Sequence, residues 1–267
     1  PNVIEGGAGA DTIDGGAGAD TMSGGGASDI YYVDNVGDIV TETSADLAAG
    51  GIDSVYSTLL AYTLPSHVEK LRILTGGVAN GTGNNLDNFL YAGAGGNVLD
   101  GGGGTDTLSY FYATGAVSVS LNVLGPQVTG ASGSDTLINI ENLYGGAFDD
   151  TLSGDANPNR LDGGAGADTL IGGSGADTLV GAAGADAMSG GDGSDSYYVD
   201  DPGDLVAETN AVLASGGNDT VYSYLAAYTL TSHVENLQIL ATGAANGTGN
   251  SLNNSLYAGA GNNLLDG

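Results

Sequence analysis

Gly6-Gly7-Ala8-Gly9-Ala10-Asp11-Thr12-Ile13-Asp14 is followed at once by Gly15-Gly16-Ala17-Gly18-Ala19-Asp20-Thr21-Met22-Ser23. The same nine-residue phrase returns from Gly163 to Val180, with Asp168 and Asp177 in the aspartate slot. Written generally it is G-G-x-G-x-D-x-U-x with U apolar, a period that belongs to stacked parallel strands. The glycine-rich first six positions read as a turn. Positions six to nine read as a short strand that sends one apolar side chain, at position eight, inward. Two nonads make a coil of two strands and two turns. Stacked coils give two parallel sheets facing each other over the position-eight side chains, because one nonad buries too little to stand alone. Helix is excluded: no segment sustains a 3.6-residue period, and each interior glycine would cost about 1 kcal/mol. The expected fold is all-β, a right-handed parallel β-roll or β-helix solenoid.

A longer period overlies the short one. Residues 24–100 align without a gap on 190–266, and roughly two-thirds of the paired positions are identical. The chain reads as one tandem unit at 1–166 and a partial second copy at 167–267, both in one continuous solenoid. Nonads 6–14, 15–23, 24–32 and 33–41 are contiguous, but Ala27 replaces a glycine and the fourth keeps only Asp38 and the apolar slot. Residues 48–100 hold the rhythm with less acid, through Asp53/Val55, Asn88/Leu90 and Asn97/Leu99, and Asp106/Leu108 restores it. Residues 110–144 depart furthest, with one nonad at 130–138 carrying Asp135. From Gly145 to Ala207 the nonads run unbroken, with position six held by Asp150, Asn159, Asp168, Asp177, Asp186, Asp195 and Asp204. Both ends fall inside repeats, and Pro1-Asn2-Val3 does not read as a signal peptide, so the stretch is expected to be a portion of something longer.

Composition narrows the partners. Glycine is 50 of 267 residues and proline only 5, and the glycine is periodic, so neither collagen nor a disordered linker fits. There are 32 acidic residues against 3 Lys and Arg, a formal charge of −29. Such a polyanion is not expected to bind nucleic acid or insert in an anionic membrane, and it resists compaction until cations neutralise it. No cysteine is present, which excludes disulfides, thiolate metal sites and a cysteine nucleophile. A secreted chain without disulfides needs another clip, and metal binding can supply it. No apolar run approaches the ~18 residues of a membrane span.

Spacing identifies the cation. Aspartates on adjacent turns of one edge must lie 18 apart, as Asp11/Asp29, Asp20/Asp38, Asp150/Asp168, Asp168/Asp186, Asp177/Asp195 and Asp186/Asp204 do. Two carboxylates meeting across a coil step repel, and a hard dication between them reverses the sign. Calcium takes six to eight oxygens at ~2.3–2.6 Å, backbone carbonyls included, whereas magnesium demands tighter octahedral geometry and gives up water reluctantly. Glycine lets the turn adopt φ > 0 and aim its carbonyls inward. Multiple calcium ions are therefore expected.

These nonads resemble the RTX (repeats-in-toxin) proteins, most strongly at 6–41 and 145–204. The resemblance implies that the earlier turn gives the carbonyls of positions two and four plus its aspartate, and the later turn carbonyls one and three plus its own. Carried onto this chain, one site is Gly7, Gly9 and Asp11 with Gly24, Gly26 and Asp29. A second is Gly16, Gly18 and Asp20 with Val33, Asn35 and Asp38, and a third is Gly146, Phe148 and Asp150 with Gly163, Ala165 and Asp168. Gly164, Gly166 and Asp168 join Gly181, Ala183 and Asp186, while Gly173, Gly175 and Asp177 join Gly190, Asp192 and Asp195. Ala182, Gly184 and Asp186 join Val199, Asp201 and Asp204; valine is tolerable there because the ligand is a carbonyl. Asn159 with Gly172, Ser174 and Asp177, and Asn88 with Asp106, lose one charge and are expected to bind more weakly.

By the same resemblance the chain is extracellular, leaves a Gram-negative bacterium unfolded by type I secretion, and folds on meeting calcium. Its expected role is a rigid adhesive, filament or surface-layer array, with other copies of itself or a cell-surface polysaccharide as further partners. The alternative is an accessory module of a secreted polysaccharide-modifying enzyme or protease. No catalytic constellation stands out, so the chain itself is not expected to be an enzyme. His67 with Glu69, repeated as His233 with Glu235, lacks a third ligand or nucleophile and reads as a solvated or packed histidine. Tyr31, Tyr32, Tyr56, Tyr62, Tyr91 and their copies read as strand and packing residues rather than a sugar-stacking surface. Asn80-Gly81-Thr82-Gly83-Asn84 occurs once per long repeat, so it makes no ice-binding rank.

Overall fold

Burial in the strands follows the nonad. In Thr178–Ala183 the side of the strand carrying Leu179 and Gly181 is buried while its neighbours are partly open, and Thr169–Ser174 and Ala187–Asp192 alternate the same way. The position-eight residues form the core: Ile13, Met22, Tyr31, Val40, Val55, Leu71, Leu90, Leu99 and Leu108 in one stretch, and Val119, Leu143, Leu152, Leu161, Leu170, Leu179, Met188, Tyr197, Val206, Val221 and Leu237 in the other. The computed structural model describes residues 1–42, 50–208 and 216–267, and these contain strands and no helix.

Two compact units are present. The first comprises Pro1–Thr114 and Val123–Ile140. One of its sheets runs parallel through Thr12–Asp14, Ile30–Val33, Ser54–Ser57, Lys70–Ile73, Phe89–Tyr91 and Thr107–Ser109. The other side of its coils is made first by Val3–Gly7, Thr21–Gly25 and Ile39–Thr41, then by Ala61–Thr63, Asn80–Thr82, Val98–Asp100 and Gly133–Ile138. The second unit comprises Gly115–Asn122 and Glu141–Gly267. Its longer sheet runs through Asn142–Gly146, Arg160–Ala165, Thr178–Ala183, Ser196–Val199, Thr220–Ser223, Asn236–Ile239 and Ser255–Ala258. Ser118–Ser120, Thr151–Ser153, Thr169–Ser174, Ala187–Asp192 and Leu205–Ala207 form one sheet on its other side, and Ala227–Thr229, Asn246–Thr248 and Leu264–Asp266 another. Each unit is a stack of parallel-stranded coils.

Register shows what the nonad requires and what it does not. Within the repeats, Val3 pairs with Thr21, Arg160 with Thr178 and Thr169 with Ala187, one coil apart at 18 residues. Outside them the coil changes length while the strands keep theirs. Ile30 pairs with Ser54 and Ser54 with Lys70; Ser196 pairs with Thr220 and Thr220 with Asn236. The turns absorb these changes because only the strands and the inward residue are constrained. Residues 110–144 depart further than sequence periodicity predicts: Gln127–Gly130 returns antiparallel on Gly133–Ile138 as a hairpin, the one antiparallel pairing among the described strands. Its strand still docks in register, Val98 against Thr136.

The strand ends and the turns that follow them need glycine at positive φ, as at Gly164 (φ 98°) and Gly166 (φ 131°). A Cβ on Gly166 would press on the Phe148 carbonyl of the turn one coil earlier. Core packing carries the matching sensitivity. Leu170 is fully buried between Leu152 and Met188 in the ladder. Leu170→Ala is expected to cost about 2–5 kcal/mol in urea unfolding of the calcium-loaded chain. Leu124→Ala, at a residue 99 % exposed, is expected to change it by less than about 0.5 kcal/mol.

Candidate metal centre

Each position-six aspartate is tied to its neighbour through the main chain. The N–H of Asp150 donates to Asp168 Oδ1 at 2.7 Å, that of Asp168 to Asp186 Oδ1 at 2.7 Å, and that of Asp186 to Asp204 Oδ1 at 3.0 Å. On the other edge the Asn159 and Asp177 N–H groups donate to Asp177 and Asp195, each at 2.8 Å. In the first unit Asp11 donates to Asp29, Asp20 to Asp38 and Asn88 to Asp106 in the same way. The strand following each aspartate is pinned too: the Asp168 carbonyl accepts from the Ala187 N–H at 2.8 Å. The 18-residue spacing thus becomes a column of carboxylates along each edge.

One oxygen of each aspartate is used in this way; the second is not. Oδ2 of Asp11, Asp20, Asp29, Asp168, Asp177, Asp186 and Asp195 is buried and has no hydrogen-bond partner. These atoms sit beside position-one glycines, whose missing side chains leave the room. A Cβ on Gly15 would lie 2.6 Å from Asp20 Oδ2, and one on Gly145 would lie 2.5 Å from both Asp150 Oδ2 and the Gly163 carbonyl oxygen. A buried ionised carboxylate without a counter-charge costs several kcal/mol. The chain has three Lys and Arg residues in all; Arg160 pairs with Asp162, and Arg72 stacks on Tyr112. The N-terminal ammonium lies 3.8 Å from Asp20 Oδ1 at one end, and three Lys and Arg residues are far too few to balance the rest of the buried columns. The donor set is all oxygen, with carboxylates and turn carbonyls side by side, and it fits a hard divalent cation.

Burial shifts the same groups. Asp168, Asp177 and Asp186 are pushed up to about 6, first by burial and then by neighbouring carboxylates, while the amide of the preceding coil pulls the other way. Asp53 and Asp219 are pushed up to about 7 for the same reasons.

The ligand sets implied by resemblance lie where the turns meet, and several of their carbonyls already carry one hydrogen bond. Gly7 O accepts from the Gly26 N–H at 2.8 Å, Ala183 O from the Gly166 N–H at 2.9 Å, and Asp192 O from the Gly175 N–H at 2.8 Å. A carbonyl has a second lone pair, so these remain able to ligate. Gly9, Gly16, Gly18, Phe148 and Gly184 lie in the turns, whereas Gly24, Gly146, Gly163, Gly164, Ala165, Gly172, Gly173, Ser174, Gly181, Ala182 and Gly190 extend the strands: positions one to three, expected in the turn, continue the parallel ladder of the preceding strand.

Two kinds of position behave differently. Asp38 Oδ2 accepts from the Asp34 and Asn35 N–H groups, and Asp204 Oδ2 from those of Asp200 and Asp201. In these turns, which begin at Val33 and Val199, both oxygens are engaged and the carboxylate closes its own loop. Asparagine at position six supplies its own donor. Asn159 Nδ2 donates to the Glu141 carbonyl, and Asn88 Nδ2 lies within 3.2 Å of the Val68 and Glu69 carbonyls. The amide does there what a cation must do beside an aspartate.

The columns also extend beyond the nonads. The Asp29 N–H donates to Asp53 Oδ1 across 24 residues, and the Asp53 N–H to Glu69 Oε2 across 16. Asp195, Asp219 and Glu235 repeat this order. Equal spacing could not reveal them; the signal was their recurrence at the long period. Glu69 is thus the end of a carboxylate column, and His67 turns its Nδ1 to the Glu42 carbonyl at 3.1 Å.

Residues 1–31, 82–110, 144–179, 162–197 and 248–267, half of the chain, match the RTX calcium-binding nonapeptide repeat (4 copies). No curated protein matches the chain in sequence. The chain belongs to the RTX calcium-binding nonapeptide repeat family, and calcium is the cation its repeats bind.

The raised carboxylates set a pH dependence for the calcium-free chain. A group ordinarily at 3.8 that titrates near 6 or 7 when folded binds its proton more tightly in the folded state. Its stabilising contribution is complete below the lower value and is lost as pH rises through the higher. In EDTA, far-UV circular dichroism is expected to show more β structure near pH 5 than near pH 8. Equal spectra would mean that these carboxylates do not oppose folding.

Proposed function

We propose that this chain is an extracellular module whose folding is switched on by calcium and which then serves as a rigid structural or adhesive array. The observation that supports this most strongly is the set of buried aspartate oxygens with no partner, in a chain with almost no positive charge of its own. Without cations, the coils stack only by burying repelling charges. With calcium between them, the same charges become the clip. Binding free energy is then folding free energy, and the folded fraction follows the free calcium concentration.

Such a coupling suits secretion. A chain of −29 charge stays expanded where calcium is scarce and can pass a narrow export channel. Millimolar calcium outside the cell then folds it. RTX repeat proteins are typically secreted, and no helix among the described residues is long and apolar enough to cross a membrane. Repeated coils make stiff spacers, so the folded array serves as a stalk, surface layer or filament rather than as a catalyst.

Calcium titration of the isolated chain, read by far-UV circular dichroism and hydrodynamic radius, tests the switch. The expected result is cooperative collapse from an expanded coil to β structure with calcium and none with magnesium. A compact, β-rich chain that EDTA leaves unchanged would refute the proposal.

A further inference from the structure

Each unit contains one coil in which the aspartate column meets an acid from outside the nonad pattern. Glu42 follows the strand Ile39–Thr41 and is 5 % exposed, while Asp29 and Asp53 are 0 % exposed. A carboxylate oxygen from each of these three residues lies within 4.8 Å of the other two. The structure holds all three firmly. Asp29 Oδ1 accepts the Asp11 N–H and Asp53 Oδ1 the Asp29 N–H, each at 2.7 Å. Glu42 Oε1 accepts the Tyr31 hydroxyl, which itself accepts the Gly24 N–H. Oδ2 of Asp29, Oε2 of Glu42 and Oδ2 of Asp53 are buried with no hydrogen-bond partner.

The second unit repeats the arrangement with Asp195, Glu208 and Asp219, which lie as close together and are buried. Tyr197 donates its hydroxyl to Glu208 and accepts the Gly190 N–H. Position-six columns elsewhere bring two carboxylates to a coil step. Here a third arrives from the other side of the same coil, in a buried site where the three side chains offer only oxygen.

We propose that Asp29, Glu42 and Asp53, and likewise Asp195, Glu208 and Asp219, each form a calcium site completed by a third side-chain carboxylate. These are the tightest sites of their units, because calcium affinity rises with the number of charged ligands. Ile30 pairs with Ser54, 24 residues on, so the ion joins Glu42 to Asp53 within a coil longer than the 18-residue repeat. The tyrosine hydroxyl aims the glutamate without neutralising it. The proposal rests on the calcium-binding reading of the family and adds to it sites in which one nonad aspartate is joined by two acids from beyond the contiguous repeats.

Glu42→Gln and Glu208→Gln keep the shape and the tyrosine hydrogen bond but remove the charge. Calcium bound to the chain is counted by equilibrium dialysis and elemental analysis at graded free calcium. Each single variant is expected to lose one ion from the tightest class, and the remaining occupancy of that cluster to need on the order of tenfold more calcium. A variant that folds with calcium but binds the same number of ions with the same affinities overturns the sites and leaves calcium-dependent folding standing. If the variants do not fold, terbium-soaked crystals of the unsubstituted chain decide the matter. Anomalous density among the three carboxylates supports the proposal, and its absence there, with peaks at the repeat turns, overturns it. A chain that gains no structure with calcium while these clusters still take terbium would sink the folding switch alone.

Discussion

The structure depends on one arrangement that recurs along the edges: an aspartate whose first oxygen is fixed by the amide one coil earlier and whose second, at Asp11, Asp20, Asp29, Asp168, Asp177, Asp186 and Asp195, is buried with no hydrogen-bond partner. The first interaction sets register. It makes every aspartate a measure of coil height, because the same residue accepts from the coil before and donates to the coil after. The second oxygen sets the requirement for a cation. Hydrogen bonds to the charged carboxylate offset part of the desolvation cost but leave net negative charge along the column. Three basic residues cannot neutralise it. On the proposed function, the fold is conditional and its condition is ionic.

Apolar burial plays the complementary part. One apolar residue per nonad gives each coil a continuous inward file, and Tyr31, Tyr110 and Tyr197 are among the largest fully buried side chains. That file is indifferent to ions and remains the same where acid is scarce. Asparagine connects the two regimes. At Asn88 and Asn159 an NH₂ group reaches the neighbouring coil's carbonyls, so a neutral donor stands where an aspartate would bring a charge. The alternation of aspartate and asparagine distributes the buried negative charge unevenly along the chain.

Much of this was legible in the sequence, since the nonad period gives both the strand spacing and the inward residue. Asp150, Asp168, Asp186 and Asp204 could be placed on one edge from arithmetic alone, and the structure puts them in contact in that order. What was not legible depends on turns of unequal length. Asp53 fits the aspartate slot locally, but it follows Asp29 by 24 residues and Glu69 follows Asp53 by 16, so the 18-residue period does not show that they continue the column. Glu42 reaches the column from another strand end, and only three-dimensional proximity reveals it. The hairpin at Gln127–Gly130 and Gly133–Ile138 interrupts the rhythm and then resumes it, so a sequence scan sees only the gap. Asp38 and Asp204 look like their neighbours in sequence, yet turn both oxygens to hydrogen bonds, because their loops fold back on the carboxylate.

The dependence of unfolding free energy on free calcium tests the central claim most directly, measured by urea denaturation at several buffered calcium concentrations. If cations hold the aspartate columns, stability rises steeply with the logarithm of free calcium, with a slope that corresponds to several ions taken up on folding. Magnesium at the same concentrations gives a much shallower line. A stability that stays flat across the calcium range would contradict the claim and leave the apolar file as the sole support of the fold.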